Sequence, residues 1–244
     1  MKKLTIFFAL LICLIAQTVS AGEIYHRRAV EFRGGLSVYM MMDDPYNWIN
    51  QITGNTSEEI MYAPDFGFSI LYKSHNNFVW NFGYNHLLAT RVEYSSFGSD
   101  YEELMDANEI YIVPGFIFWP ESKLNFSLGA GATLMLASLD RNSPVAGNMS
   151  EFYGATGRNL GFLALANIEY LFKPNVAIKI GGGYRSVFID DINFVSNVSG
   201  TEINNQVVWT DGAGTTLTRA YELDFSGVFI EAGIRLYFDP KSKW

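Results

Sequence analysis

The chain has a single cysteine, Cys13, which excludes an internal disulfide. Leu11 and Ile12 precede it where a lipid-modified cysteine has small residues, so a lipoprotein anchor is not expected either. Charge is scarce: Asp, Glu, Lys and Arg make up 17% of 244 residues, and acids outnumber bases 25 to 17. That balance disfavours nucleic acid as a partner. No Pro-rich or Ser-rich linker divides the chain, so one domain is expected. No later stretch stays apolar for the roughly 20 residues of a transmembrane helix. Leu4 to Ile15 is apolar but too short; with Lys2 and Lys3 before it and Val19-Ser20-Ala21 after it, it reads as a cleaved secretory signal. Residues 1–21 are then the signal and residues 22–244 the mature domain. Loss of Lys2 and Lys3 leaves 15 basic against 25 acidic residues, a formal charge of 15 minus 25, or −10.

What the chain has in abundance is alternation. Aromatics reach 16% while mean hydropathy is only +0.08, because apolar and polar positions interleave at the period of a β-strand. From Leu124 to Leu136, Leu124, Phe126, Leu128, Ala130, Ala132, Leu134 and Leu136 share one face. Asn125, Ser127, Gly129, Gly131 and Thr133 share the other. Such a strand suits lipid on one side and a filled lumen on the other. Eight strands of this kind are predicted, near 28–41, 65–73, 78–88, 109–119, 124–136, 159–172, 176–185 and 228–238. Strand four is apolar on both faces, and Pro114 within it predicts a bulge.

Three short turns, at Ser74-His75-Asn76-Asn77, Pro120-Glu121-Ser122-Lys123 and Lys173-Pro174-Asn175, alternate with four long loops near 42–63, 90–108, 138–158 and 189–220. Short turns on one side and long loops on the other are the plan of an outer-membrane barrel. Loop four contains Val207-Val208-Trp209 and Thr215 to Tyr221 around Asp211-Gly212, a hairpin pattern, and a ten-stranded barrel that uses it is the alternative. Asp44-Pro45 and Ser99-Asp100-Tyr101-Glu102 have the form of helix starts. Tyr72, Trp80, Trp119, Tyr170, Phe172 and Tyr237 are placed in the interfacial girdle.

In the last strand, Ile230, Ala232, Ile234, Leu236 and Phe238 alternate outward and close on an aromatic. On that strand and the whole-chain pattern, the sequence resembles the small outer-membrane barrels of Gram-negative bacteria of the outer membrane protein A and outer membrane protein X type. The resemblance implies an all-β, eight-stranded antiparallel up-and-down barrel, located in the bacterial outer membrane and surrounded by its lipid. It also implies an assembly signal at Ile234, Leu236 and Phe238 read by the barrel-assembly machinery. Asp239 to Trp244 follow Phe238, which departs from the usual ending.

Glu31, Arg33, Glu169, Lys179, Arg185, Glu231 and Arg235 all fall on the inward face of strands that become neighbours when the sheet closes. Eight strands enclose a space that side chains fill, so these charges are expected to pair and plug it. A proton path or narrow small-solute pore built from the same residues is the alternative. A soluble, exported lipocalin-like barrel that binds an apolar ligand is a second one, and it requires the Leu124 to Leu136 apolar face to point inward. The three histidines, His26, His75 and His86, lie away from the outer loops, and a catalytic base must lie within about 3 Å of its nucleophile. No enzyme, cofactor or metal is expected. The acidic loops, with Asp43, Asp44, Glu58, Glu59, Glu93, Asp100, Glu102, Glu103, Asp106, Asp190, Asp191, Glu202 and Asp211, lack dedicated calcium-loop spacing. A monomer is expected, with a structural, adhesive or surface-recognition role through those loops toward an extracellular partner.

Overall fold

The computed structural model describes residues 28–39, 61–75, 77–96, 99–120, 122–145, 149–173, 175–196, 202–204, 206–210, 216–220 and 223–238. The signal segment, His26, the Asp44-Pro45 helix start and the tail after Phe238 lie outside them. Eight antiparallel strands form the wall: β1 Arg28–Tyr39, β2 Met61–His75, β3 Phe78–Ser96, β4 Ser99–Phe118, β5 Leu124–Val145, β6 Met149–Lys173, β7 Val176–Ser186 and β8 Gly227–Tyr237. Each pairs with its sequence neighbour, and β8 pairs with β1 from Ala29↔Tyr237 to Tyr39↔Gly227, which closes the barrel. Closure gives every strand of the wall two neighbours, so its backbone polar groups find partners without water.

Facing follows the alternation. Phe32, Phe68, Ile70, Phe82, Ile112, Leu128, Ile168, Ile180, Ile230 and Ile234 are exposed on the outside, while Glu31, Arg33, Lys179, Glu231 and Arg235 are buried within. The outside is therefore a continuous apolar belt made for lipid. The lipocalin-like alternative needs the opposite facing and is excluded. β4 resolves in the same way: Glu109, Tyr111, Val113 and Ile117 turn inward, Ile110, Ile112 and Phe118 outward.

Several expectations are corrected. Pro114 introduces no bulge: pairing with β5 skips between Ile112↔Ala132 and Gly115↔Gly129 and resumes in the same register. The missing proline N–H removes one ladder bond without adding a residue. Bulges occur instead at Lys73/His75, Leu87/Thr90 and Leu171/Lys173. The segments 90–108 and 138–158 are largely strand, since β3 and β4 are separated by residues 97–98 alone and β5 and β6 by 146–148. The helix start at Ser99 is thus a strand start. Polar composition in these segments is therefore compatible with paired strand and does not mark coil. Strands of about 9–11 residues suffice to cross a membrane; β1, β7 and β8, at 12, 11 and 11 residues, do little more, whereas β5 and β6 run to 22 and 25.

In the fourth loop, Phe188–Ile189 pairs with Leu223–Asp224 and so prolongs β7 and β8. Ile192–Ser196 adds to the upper end of β6, from Gly157↔Ile192 to Tyr153↔Ser196. The expected hairpin exists, Gln206–Thr210 against Thr216–Ala220, yet it forms a sheet of its own and the barrel remains eight-stranded. At the opposite end the turn after β4 holds Trp119 at φ 54°, the left-handed region, with Ser122 N–H donating to Trp119 O at 3.0 Å. Trp119 is 68% exposed there, among Tyr72, Tyr170 and Phe172, as an interfacial aromatic should be. Tyr237 is the exception: it is only 5% exposed and faces the lumen.

An arginine in place of Ala132, on the lipid face, should destabilise the barrel by about 2–4 kcal/mol if it sits near the midplane. Thr133→Ser, one residue on but inward, should stay close to the parent because the hydroxyl that donates to Glu109 at 2.9 Å is kept. Urea unfolding in lipid vesicles measures both; equal losses would contradict the facing.

Candidate functional site

The lumen is layered. Nearest the short turns lies an apolar cluster of Ala29, Leu71, Val79, Ile117, Leu171, Ala177 and Tyr237. Toward the long-loop side, Leu87, Met105, Met135, Val187, Ile189, Ile192, Leu223 and Phe225 form a second one with four alanines. Between them sit the charges.

Glu31 is the hub. Its carboxylate meets Lys179 Nζ at 2.6 Å, Arg235 Nη2 at 2.6 Å and Arg33 Nη1 at 3.3 Å. Lys179 also binds Glu231, and Arg33 Nε lies 3.1 Å from the same Glu231. Arg235 reaches on to Glu169. Glu169 in turn accepts from Tyr237 OH at 2.7 Å and from Asn125 Nδ2 at 3.0 Å. The register accounts for one of these pairs, since Glu31 is opposite Arg235 across β1 and β8, whereas Glu169, opposite Lys179 across β6 and β7, reaches Arg235 instead. Wall positions beside these long chains are glycines. A Cβ on Gly181 would collide with Asn167 Oδ1, and one on Gly83 would collide with the Tyr111 ring.

Arg185, the seventh residue of the expected set, pairs outside that hub. Its Nε and Nη2 donate to the two oxygens of Glu109 at 2.8 and 2.7 Å, a bidentate pair. Thr133 also donates to Glu109, at 2.9 Å. Asn85 joins the two groups, since its Oδ1 accepts from Arg33 Nη2 at 2.6 Å and its Nδ2 donates to Glu109 at 2.7 Å. Arg33 lies 5.0 Å from the centre of the Tyr111 ring, Arg185 5.3 Å from Phe229 and Lys73 5.3 Å from Tyr237, so aromatic faces take up charge that carboxylates leave over. Asp65 accepts from Ser37 Oγ at 2.7 Å.

Glu109, Asp65, Lys73, Tyr111 and Tyr237 were missing from the sequence-derived set. For Asp65 and Lys73 the signal was available: each shares parity with Ser69 and Leu71 once Phe66, Phe68, Ile70 and Tyr72 point outward. Tyr237 shares parity with Glu231 and Arg235. Glu109 opens strand four, which is apolar on both faces and so gave no facing by parity. Counted among the described residues, buried acids are Glu31, Asp65, Glu109, Glu169 and Glu231, and buried bases are Arg33, Lys73, Lys179, Arg185 and Arg235. Five face five, so the interior is formally neutral. Chemically, this is an arrangement of fixed carboxylates held by guanidinium and ammonium groups, which suits rigidity better than proton transfer.

No protein-family model and no curated protein matches the sequence. Solved structures match the fold. The major outer membrane protein of Thermus thermophilus superposes with a TM-score of 0.52 at 10% identity, over 87% of this chain and 100% of that one. For outer membrane protein OprG from Pseudomonas aeruginosa the values are 0.49, 10%, 88% and 98%. For Ail, the attachment invasion locus protein of Yersinia pestis, they are 0.45, 10%, 88% and 100%. At such identities the likeness is one of fold. That fold is an outer-membrane type of β-barrel, and the apolar belt around its outside is what a lipid surrounding requires.

Removing Arg185 alone, as Arg185→Met, leaves Glu109 buried without its bidentate partner and should cost about 3–5 kcal/mol. Adding Glu109→Gln to the same chain should recover a measurable part, with a coupling of about 0.5–3 kcal/mol in the double-mutant cycle. Additive losses in reversible unfolding would mean that the two side chains do not interact.

Proposed function

We propose that the mature chain, residues 22–244, is a monomeric outer-membrane barrel whose lumen is a closed, non-conducting and non-catalytic anchor. Its role is to hold an acidic extracellular β-sheet at the cell surface, for adhesion or surface recognition of an extracellular partner. The observation that carries this reading is the neutral charge network between two apolar clusters. An ion that entered would have to displace Arg235 from Glu31 and Glu169, and would leave buried charges unpaired at a cost of several kcal/mol. Water and ions would also have to wet the apolar cluster around Leu87, Met135 and Phe225. The length of β3 to β6 beyond the lipid supplies the projecting sheet, and the acidic residues of the outer segments give it its sign. Ile234, Leu236 and Phe238, outward at the end of β8, are proposed as the strand that assembly machinery recognises.

Planar-bilayer recording of the folded protein tests the closed lumen. Silent bilayers are expected from the parent protein. Stable unitary steps that disappear in Glu231→Gln and Arg235→Met would overturn the reading in favour of a narrow pore.

A further inference from the structure

The outer wall over β2 to β6 is not uniformly greasy. An apolar groove of about 700 Å³ crosses it, walled by Phe68, Ile70, Phe82, Ile112 and Leu160 and floored by Ala132. That volume falls in the ~300–1,000 Å³ range of small-ligand sites. Ala132 makes the depression, because its neighbours in register are Ile112 on one side and Phe162 on the other.

The groove ends, on the long-loop side, in polar groups that face outward rather than into the lumen. Tyr84, itself part of the groove lining, donates its hydroxyl to Asn108 Oδ1 at 2.5 Å, and His86 Nδ1 lies 3.0 Å from the same oxygen. Phe66 packs edge-on against His86 at 5.2 Å between ring centroids. The register then runs His86↔Asn108↔Leu136↔Arg158. Arg158 is exposed and lies one outward step above Leu160, about 10 Å from Asn108 at two strand spacings. A single wall thus carries an apolar trough and, at its long-loop end, a hydrogen-bonding cap with a cation in the same cross-strand row, the end at which a lipid of the outer leaflet presents its phosphorylated headgroup.

We propose that this face is a binding site for one phosphorylated, multi-acylated glycolipid of the outer leaflet. One acyl chain lies in the groove over Ala132, headgroup hydroxyls bond at the His86 and Asn108 cap, and a phosphate pairs with Arg158. The proposal does not depend on the lumen being closed, because Ala132, His86, Asn108 and Arg158 all face away from the lumen.

Native mass spectrometry of the folded protein in mild detergent provides the test, with bisphosphorylated hexa-acyl lipid A and phosphatidylethanolamine as separate probes. One equivalent of lipid A should be retained, in preference to phosphatidylethanolamine. Ala132→Phe, which fills the groove, and Arg158→Ala, which removes the cation, should each weaken retention by about tenfold or more, the scale of one charge-assisted hydrogen bond. Ile180→Ala, on the lipid face of β7, should leave it unchanged. Heat-shifted gel migration checks folding, and Arg158→Ala carries the test should Ala132→Phe fold poorly. Equal retention of the two lipids, or parental retention by Arg158→Ala, would overturn the proposal.

Discussion

A strand in hydrocarbon has no water to satisfy its backbone, so the sheet must close on itself, and closure is the constraint from which the other features follow. Pairing β8 with β1 removes the edges of the wall, but eight strands enclose only enough room for side chains. Whatever points inward must therefore be satisfied by other inward side chains. Here the inward set carries five acids and five bases among the described residues. Glu31, Glu109, Glu169 and Glu231 pair with Arg33, Lys179, Arg185 and Arg235, helped by a register that sets Glu31 opposite Arg235, while Asp65 accepts from Ser37 and Lys73 lies over the Tyr237 ring. Glycines such as Gly83 and Gly181 give the long side chains the space that a Cβ would occupy.

The same closed wall supports structure outside the lipid. β5 and β6 continue past the apolar belt as paired strands, with Leu104↔Asp140 and Asp140↔Gly154 still in ladder. The inward residues of this part of the wall, Met105, Ala107, Met135, Ala137 and Ala155, bury against Val187, Ile189, Ile192 and Phe225. The projecting sheet thus shares a core with the barrel mouth. This is why it extends in register rather than collapsing into loops, and why the interior above the charges is apolar.

Alternation made the wall legible in the sequence: the facing of β1, β2, β5, β6, β7 and β8 can be read from residue parity alone. Legibility ended where parity competed with another cue. Tyr237 was assigned to the girdle by its position near a strand end, although it shares parity with Arg235. The outer halves of β3 to β6 were read as loops because polarity there reflects water on a sheet surface as much as coil. Glu109 was lost because it opens strand four, whose two apolar faces give parity nothing to distinguish, and with it went the partner of Arg185, 76 residues away. Such pairs depend on strand stagger, which local pattern does not encode.

What the interior satisfies internally, it does not offer to solvent. Glu31 has three cationic partners, Glu169 has an arginine, a tyrosine and an asparagine, and Glu109 is held bidentately. The paired carboxylates make this part of the lumen a core in which charges take the place of leucines, and any response to a ligand at them would begin by breaking several contacts at once. Outward polar groups lie elsewhere, on the wall where Tyr84, His86, Asn108 and Arg158 interrupt the apolar belt. On the belt proper, lipid contacts are apolar and hardly selective. A cluster of donors and a cation at its upper margin is where selectivity among lipids enters, because a headgroup is bound by hydrogen bonds and charge, while an acyl chain is bound by area.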